Sequence, residues 1–224
     1  GRSKSRIQLF WSIDGLDWLS YETCSIRQSE DAGWSSEGIG TPSMLVRDDG
    51  VWVWYRGDDE DRVQSVGLTT SVDGCDWLTT DEAVFTPSEV WARQATASPH
   101  VIERDGLLWM YYTGSNHANQ SDSGIGLATS EDGTTWTVHP DNPIIPTPEA
   151  GWNSSQIAEP HVWQADGRWL MLYAAHDNAT VPEMTIDEVG VGAAVGLAAS
   201  WDGESWSHCY DTPLLTGGVK VDQP

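Results

Sequence analysis

The chain has 224 residues with 34 Asp and Glu against 11 Lys and Arg, so its formal net charge is −23 at pH 7. Such a charge repels nucleic acids and anionic membranes, and we expect neither as a partner. The length suffices for the core of one all-β domain. Abundant acid with almost no lysine predicts a surface adapted to high salt, as in a halophilic or marine organism.

A seven-residue pattern, Ser-x-Asp-Gly-x-x-Trp, occurs four times along the chain. The copies are Ser12–Trp18, Ser71–Trp77, Ser130–Trp136 and Ser200–Trp206. Repetition at this period indicates a fold built from tandem units. Each Asp is expected to cap a tight turn through the neighbouring backbone, and each Trp is expected to pack between sheets. We therefore predict a structural role for these four turns.

Each unit is predicted to contain four short strands, called A to D, joined by Gly and Asp turns. In the first complete unit, an apolar run follows Pro42, the A–B turn is Asp49-Gly50, and strand B is Val51–Tyr55. The next two units repeat this order with the turns Asp105-Gly106 and Asp166-Gly167. Tandem four-stranded units predict a β-propeller with almost no helix.

The phase of the repeat predicts a single propeller domain over residues 1–224. Half a blade is expected at 1–33. Complete blades are expected at about 34–90, 91–151 and 152–216, and the start of a further blade at 217–224. We therefore expect about three and a half blades of an incomplete ring.

The cysteines and the regularly spaced tryptophans are both interpreted structurally. Cys24, Cys75 and Cys209 are odd in number and widely separated, which favours unpaired thiols over a disulfide framework or a zinc site. One Trp stands eight residues before the proline of each strand A, at Trp34, Trp91 and Trp152. Their regular spacing favours packing between blades over stacking on sugar rings.

The loops predict which face of the ring carries a site. Because successive strands alternate in direction, the short A–B and C–D turns share one face, and the starts of strand A share the other with the longer B–C loops. Long variable loops are typical of a functional face. The strand-A starts, which would line the mouth of the central channel, are Thr41-Pro42-Ser43, Ser98-Pro99-His100 and Glu159-Pro160-His161.

The B–C loops add polar residues to the same face. They contribute Arg56-Gly57-Asp58-Asp59, Gly114-Ser115-Asn116-His117 and Ala175-His176-Asp177-Asn178. The residues expected to contact a ligand are Arg56, Asp58, Ser98, His100, His161 and His176. Each has a structural alternative: a histidine can be bonded to the neighbouring blade, and Arg56 can neutralise the acids beside it instead of binding a carboxylate or phosphate.

The order of these motifs resembles a known superfamily. A Trp-x7-Pro segment, an aromatic strand ending in Tyr-x-Gly and the run Ile-Gly-Leu-Ala-Thr-Ser-x-Asp-Gly-x-x-Trp resemble the five-bladed propeller glycosidases. These include glycoside hydrolase families 43, 32 and 130. The resemblance implies a five-bladed fold, of which this chain would be an incomplete part, and it implies cleavage of a glycan or small glycoside.

The resemblance also implies a position for the catalytic groups. In family 43, successive strand-A starts carry an aspartate base, a second aspartate and a glutamate acid. Glu159 matches the acid, whereas Thr41 and Ser98 at the other two positions lack a carboxylate. Cleavage needs two carboxyl groups, and the candidate partners on this face are Asp177, Asp58 and Glu37, or a residue of a further blade. We expect Glu159 and Asp177 to be catalytic.

No cofactor is required by this chemistry, and no metal site is predicted. Calcium is the alternative, because a channel histidine binds it in some family 43 relatives and Asp58-Asp59-Glu60-Asp61 offers hard oxygen ligands. In so acidic a chain such a run is more typical of a solvated loop. Two functions are carried forward: a glycoside hydrolase, with phosphorolysis as a variant, and a non-catalytic carbohydrate-binding or scaffold propeller, which Thr41 and Ser98 favour.

Overall fold

A computed structural model describes residues 5–28, 32–86, 88–116, 123–176 and 193–216. Within these ranges the chain is β-structure apart from two short 3₁₀ turns, Gly33–Ser35 and Val90–Ala92. The first strands, β1 (Arg6–Trp11) and β2 (Leu19–Arg27), form a two-stranded N-terminal hairpin. None of the helical segments in these ranges is long and apolar enough to cross a membrane.

Three antiparallel groups of strands follow the hairpin, and they are called blades 1, 2 and 3. A parallel pair, Gln64 with Ala95, joins blades 1 and 2 into one continuous sheet. Blade 1 consists of β3 (Gly38–Arg47), β4 (Gly50–Asp58), β5 (Gln64–Ser71) and β6 (Leu78–Thr79). Blade 2 consists of β7 (Ala95–Arg104), β8 (Leu107–Ser115), β9 (Ser123–Ser130), β10 (Thr137–Val138) and β11 (Ile145–Pro146). Blade 3 consists of β12 (Gln156–Ala165), β13 (Arg168–His176), β14 (Ala193–Ser200), β15 (Ser207–His208) and β16 (Leu215–Thr216).

The all-β propeller prediction is confirmed. Val, Ile, Leu, Trp and Tyr fill the strands because their side chains pack well on a pleated, half-buried surface. Three hydrophobic clusters occupy the gaps between neighbouring sheets, where the side chains of adjacent blades meet. Trp54 of blade 1 and Tyr112 of blade 2 share one cluster, and Tyr111 of blade 2 and Tyr173 of blade 3 share the next. The core therefore lies between the blades and holds them in a ring-like order.

The Ser-x-Asp-Gly turns are structural, as the sequence predicted. In each copy one aspartate oxygen accepts backbone N–H groups from the two residues after the glycine. These bonds hold the carboxyl pKa below its usual value at Asp14, Asp73, Asp132 and Asp202. The preceding blade binds the last two turns, because Trp54 Nε1–H donates to Gly133 O and Tyr111 O–H to Gly203 O, both at 2.9 Å.

The tryptophans before each strand A pack over their own blade and also belong to the clusters between neighbouring sheets, as the sequence predicted. A Cβ atom on Gly67 would lie 2.0 Å from the ring of Trp34, so the absent side chain makes room for the indole. Trp91 is stacked on Tyr112 at 5.9 Å between ring centroids, and Trp152 on Tyr173 at 6.1 Å. Spacing alone could not reveal the glycines that admit these rings.

The prediction of unpaired cysteines was wrong for two of the three. Cys24 on β2 and Cys75 in the turn after β5 form a disulfide, while Cys209 is free and exposed. Trp77 Nε1–H donates to Cys24 O at 2.8 Å, so this hydrogen bond also holds β2 against the turn after β5. The two cysteines are separated by 51 residues, and they meet because the hairpin packs beside blade 1, which cysteine spacing does not encode.

Candidate active site

The first strands of the three blades carry the same irregularity at the same place. The pairing register shifts between Gly40 and Ser43 in β3, between Ala97 and His100 in β7, and between Ala158 and His161 in β12. Such a β-bulge inserts extra residues into one strand and redirects a side chain.

The residue inside each bulge has left-handed backbone geometry. The φ angles are 42° at Thr41, 46° at Ser98 and 55° at Glu159. Positive φ is uncommon for residues other than glycine and is an outlier for a β-branched threonine. Strained backbone of this kind concentrates at functional sites. The three strand-A starts singled out from the sequence therefore share one unusual backbone geometry, which is repeated in each blade.

Glu159 is exposed at its bulge, so its carboxylate is accessible to a ligand. The backbone N–H of Glu159 donates to Thr113 Oγ1 on β8 of blade 2 at 2.8 Å. Two residues earlier, the N–H of Ile157 donates to Ser123 Oγ at 3.0 Å. Hydroxyl groups of blade 2 thus hold the strand that presents the carboxylate. Thr113 is not among the residues predicted from the sequence, although its position after Tyr112 aligns it with Arg56 after Tyr55.

Thr41 and Ser98 occupy the same backbone position without a carboxylate. The hydroxyl of Thr41 is buried and has no hydrogen-bond partner within the described ranges, and Ser98 is half-buried. Neither side chain can act as a general base near neutral pH. The second carboxylate of a hydrolytic pair must therefore come from another position on this face.

Arg56 and Asp58 form an ion pair beside the first bulge. Arg56 Nη2 lies 3.2 Å from Asp58 Oδ2, and Gln64 Nε2–H donates to Asp58 Oδ1 at 2.8 Å. The guanidinium also lies over Gly40, where a Cβ atom would be 3.3 Å from Nη2. This pairing is the one expected if Arg56 neutralises a neighbouring acid, and part of the side chain remains accessible.

His100 and His161 lie together on β7 and β12, with their ring centroids 4.4 Å apart. His100 Nε2 is 2.8 Å from Val162 O of the next blade, which is the arrangement of the structural alternative. Burial, partly opposed by this hydrogen bond, lowers the pKa of His100 to about 4. His100 is therefore neutral near pH 7, whereas His161 is exposed and offers its ring to a ligand.

The remaining predicted residues are placed only in part. His176 ends β13, where its backbone pairs with Gln156 and Ala193, but its side chain lies outside the described residues. Asp177 also lies outside them, so its role as the second carboxylate stays a prediction. Glu37 is exposed next to this edge, and its N–H donates to Asp58 O at 2.9 Å. Asp58 and Glu37 are thus the described carboxylates on this face besides Glu159 that the sequence proposed.

The described residues do not fit a calcium site. Within the ranges given above, no group of three or more His, Cys, Asp or Glu side chains gathers as metal ligands. The Nε2 atom of His100 already bonds to Val162 O, and both oxygens of Asp58 have protein partners. We derive no step through a metal.

The repeated blades form a β-propeller, and its fold matches those of solved glycoside hydrolases. The structure of fructan 1-exohydrolase IIa from Cichorium intybus matches with a TM-score of 0.64 and 21% identity, over 80% of this chain and 33% of that one. A thermostable family-43 glycoside hydrolase matches with a TM-score of 0.67 and 18% identity, over 93% and 66%. These neighbours are five-bladed propellers, and the chain covers part of each.

Residues 64–186 match the N-terminal domain of the glycosyl hydrolases family 32. This range is more than half of the chain, and the chain belongs to that family. A probable sucrose-6-phosphate hydrolase from Psychromonas ingrahamii is 30% identical over 167 residues. The match covers 66% of this chain and 29% of that relative, so the chain spans less than a third of its length.

Proposed function

We propose that this chain carries the general acid of a glycoside hydrolase, and that Glu159 is this acid. The exposed carboxylate at a left-handed bulge supports the proposal most directly. The neighbouring blades repeat the backbone of this bulge but not its carboxylate. Family 32 membership agrees with this assignment. The names of the relatives suggest sucrose 6-phosphate, sucrose or a fructan as the substrate class.

In the proposed reaction, Glu159 donates its proton to the oxygen of the leaving group while the glycosidic bond breaks. A second carboxylate either attacks the anomeric carbon or removes a proton from the water that attacks it. Asp177 is our first candidate for this group, and Asp58 and Glu37 are the alternatives. His161, His176, Ser98 and Arg56 are proposed to contact hydroxyl groups of the sugar. Two carboxyl groups and water suffice, so we propose no required cofactor.

Replacing Glu159 with glutamine tests the proposal, because the amide keeps the shape of the side chain but cannot donate the proton. Turnover of sucrose, sucrose 6-phosphate and aryl glycosides is expected to fall about 10²- to 10⁴-fold at high salt. Glu131→Gln is the matched control, since Glu131 is exposed in a turn on the opposite face. Unchanged turnover in Glu159→Gln would exclude this residue as the acid.

A second function is supported by Thr41 and Ser98, since two of the three bulges lack a carboxylate. We propose a non-catalytic carbohydrate-binding propeller as this alternative. Calorimetric titration with the same sugars separates the two functions. Binding without turnover in the wild-type protein would favour the binding module, whereas turnover that depends on Glu159 favours the enzyme.

A further inference from the structure

The hydroxyl group of Thr113 lies at the junction between blade 2 and the candidate acid. Thr113 is 6% exposed, and its Oγ1 accepts the hydrogen bond from Glu159 N–H across the gap between β8 and β12. The bond is partly buried and joins two blades. A hydrogen bond in such a place fixes the relative position of the two strands more firmly than one exposed to solvent.

The bulge explains why Glu159 needs a partner of this kind. The register of β12 with β13 is interrupted between Ala158 and His161, so the ladder does not continue through Glu159. A buried backbone N–H without a partner is unfavourable, and the φ of 55° at Glu159 is a sparsely populated conformation. In this left-handed conformation, the Thr113 hydroxyl accepts the hydrogen bond of the Glu159 N–H.

A hydroxyl group stands on the blade before the bulge that carries the Glu159 carboxylate. By strand pairing, Thr113 on β8 is equivalent to Arg56 on β4 and Ala174 on β13. Alanine has no hydroxyl, and the guanidinium of Arg56 is directed to Asp58. Two of these positions are followed by a described bulge: Thr113 before Glu159 provides an acceptor, whereas Arg56 before Ser98 does not.

We propose that Thr113 is a positioning residue for Glu159. It holds the backbone of the bulge and thereby sets the direction of the carboxylate, without contacting substrate. The proposal rests on the proposed function of Glu159 as the acid. In this proposal, a residue of blade 2 contributes to the reaction of a carboxylate on blade 3.

Thr113→Val tests this role, because valine has nearly the same shape but cannot accept the hydrogen bond. A misdirected acid slows the chemical step and leaves binding intact, so kcat is expected to fall about tenfold while KM stays within about twofold. Thr113→Ser restores an acceptor and is expected to recover most of kcat. Thr96→Val is the control, since Thr96 is a buried threonine whose hydroxyl bonds to Gln64 O.

A second measurement does not depend on turnover. The amide proton of Glu159 is expected to exchange with solvent about tenfold faster in Thr113→Val than in the wild type, because its acceptor is gone. Wild-type kcat in Thr113→Val, an equal loss in Thr96→Val, or no recovery in Thr113→Ser would overturn the positioning role. If Glu159→Gln keeps full activity, the proposed function fails, and the exchange rate still reports whether Thr113 holds the bulge.

Discussion

Three residues with one backbone geometry carry three different side chains, and this difference decides what each position can do. Thr41, Ser98 and Glu159 all have positive φ inside a bulge. At Glu159 a carboxylate is presented to solvent, whereas Thr41 buries its hydroxyl. The fold therefore defines the positions, and the side chain defines the chemistry.

His100 predicts how stability depends on pH. Its pKa is about 4 in the folded protein, below the usual 6.5, mainly because of burial. Between these values the unfolded chain binds a proton that the folded chain excludes, so this contribution to stability is complete above pH 6.5 and is lost as the pH falls towards 4. The neighbouring titratable group is His161.

We therefore expect the melting temperature of the wild type to fall more steeply than that of His100→Gln between pH 7 and pH 4.5, by about 4 °C. Thermal unfolding followed by circular dichroism at several pH values measures this difference. His139→Gln serves as a control, because His139 lies on the opposite face beside Glu204. Parallel acid sensitivity of the wild type and His100→Gln would contradict the assignment.

The sequence predicts some residues of the site and not others for a physical reason. Glu159 is found because the repeat aligns it with Thr41 and Ser98. Thr113 is missed because its role depends on a register shift in a strand of another blade, and no local pattern shows that shift. The sequence offers a histidine bond to the neighbouring blade as one alternative, but it does not identify Val162 as the partner of His100.

Among the elements, the N-terminal hairpin is the one joined to its neighbour by a covalent bond. The Cys24–Cys75 disulfide connects β2 to the turn after β5, and Ile39 N–H donates to Ser5 Oγ at the other end of the hairpin. The hairpin has two strands where the blades have four or more. Its attachment thus depends on the disulfide more than the attachment of a complete blade would.

We expect reduction of this disulfide, or Cys24→Ser, to lower the free energy of unfolding by about 2–4 kcal/mol, because the bond closes a long loop. Thermal unfolding with and without reductant measures the loss, and limited proteolysis shows whether the hairpin is cleaved first. Cys209→Ser is the control, since Cys209 is free and exposed. Equal melting temperatures for oxidised and reduced protein would show that packing alone holds the hairpin.

Strands are predicted well from this sequence because the short-range pattern contains what forms them. The β-branched and aromatic residues of Val51–Tyr55 and Leu107–Tyr112, together with the Asp-Gly turns before them, specify β4 and β8 without long-range information. The disulfide and the packing of Trp34 on Gly67 require knowing which elements become neighbours. Local propensity does not contain that knowledge.

At the scale of the whole molecule, acidic charge dominates. A net charge of −23 on 224 residues makes the folded state repel itself at low ionic strength. Added salt screens this repulsion, since the Debye length falls from about 10 Å at 0.1 M to about 3 Å at 1 M. The prediction of a surface adapted to high salt follows from this balance.

We expect the melting temperature to rise by about 5 °C between 0.1 M and 1 M NaCl. Scanning calorimetry over a series of NaCl concentrations measures the change. Trimethylamine N-oxide provides the comparison, because it strengthens burial without screening charge. A melting temperature that is flat or falling with NaCl would contradict the prediction.

The left-handed bulges have a consequence for how such proteins diverge over generations. Thr41 and Ser98 keep the backbone geometry of the position proposed for the acid, although neither supplies a carboxylate. The backbone geometry that the fold needs is therefore separate from the side chains that a reaction needs. A lineage can abandon an activity and retain the ring, and a descendant can acquire another activity from the same three positions.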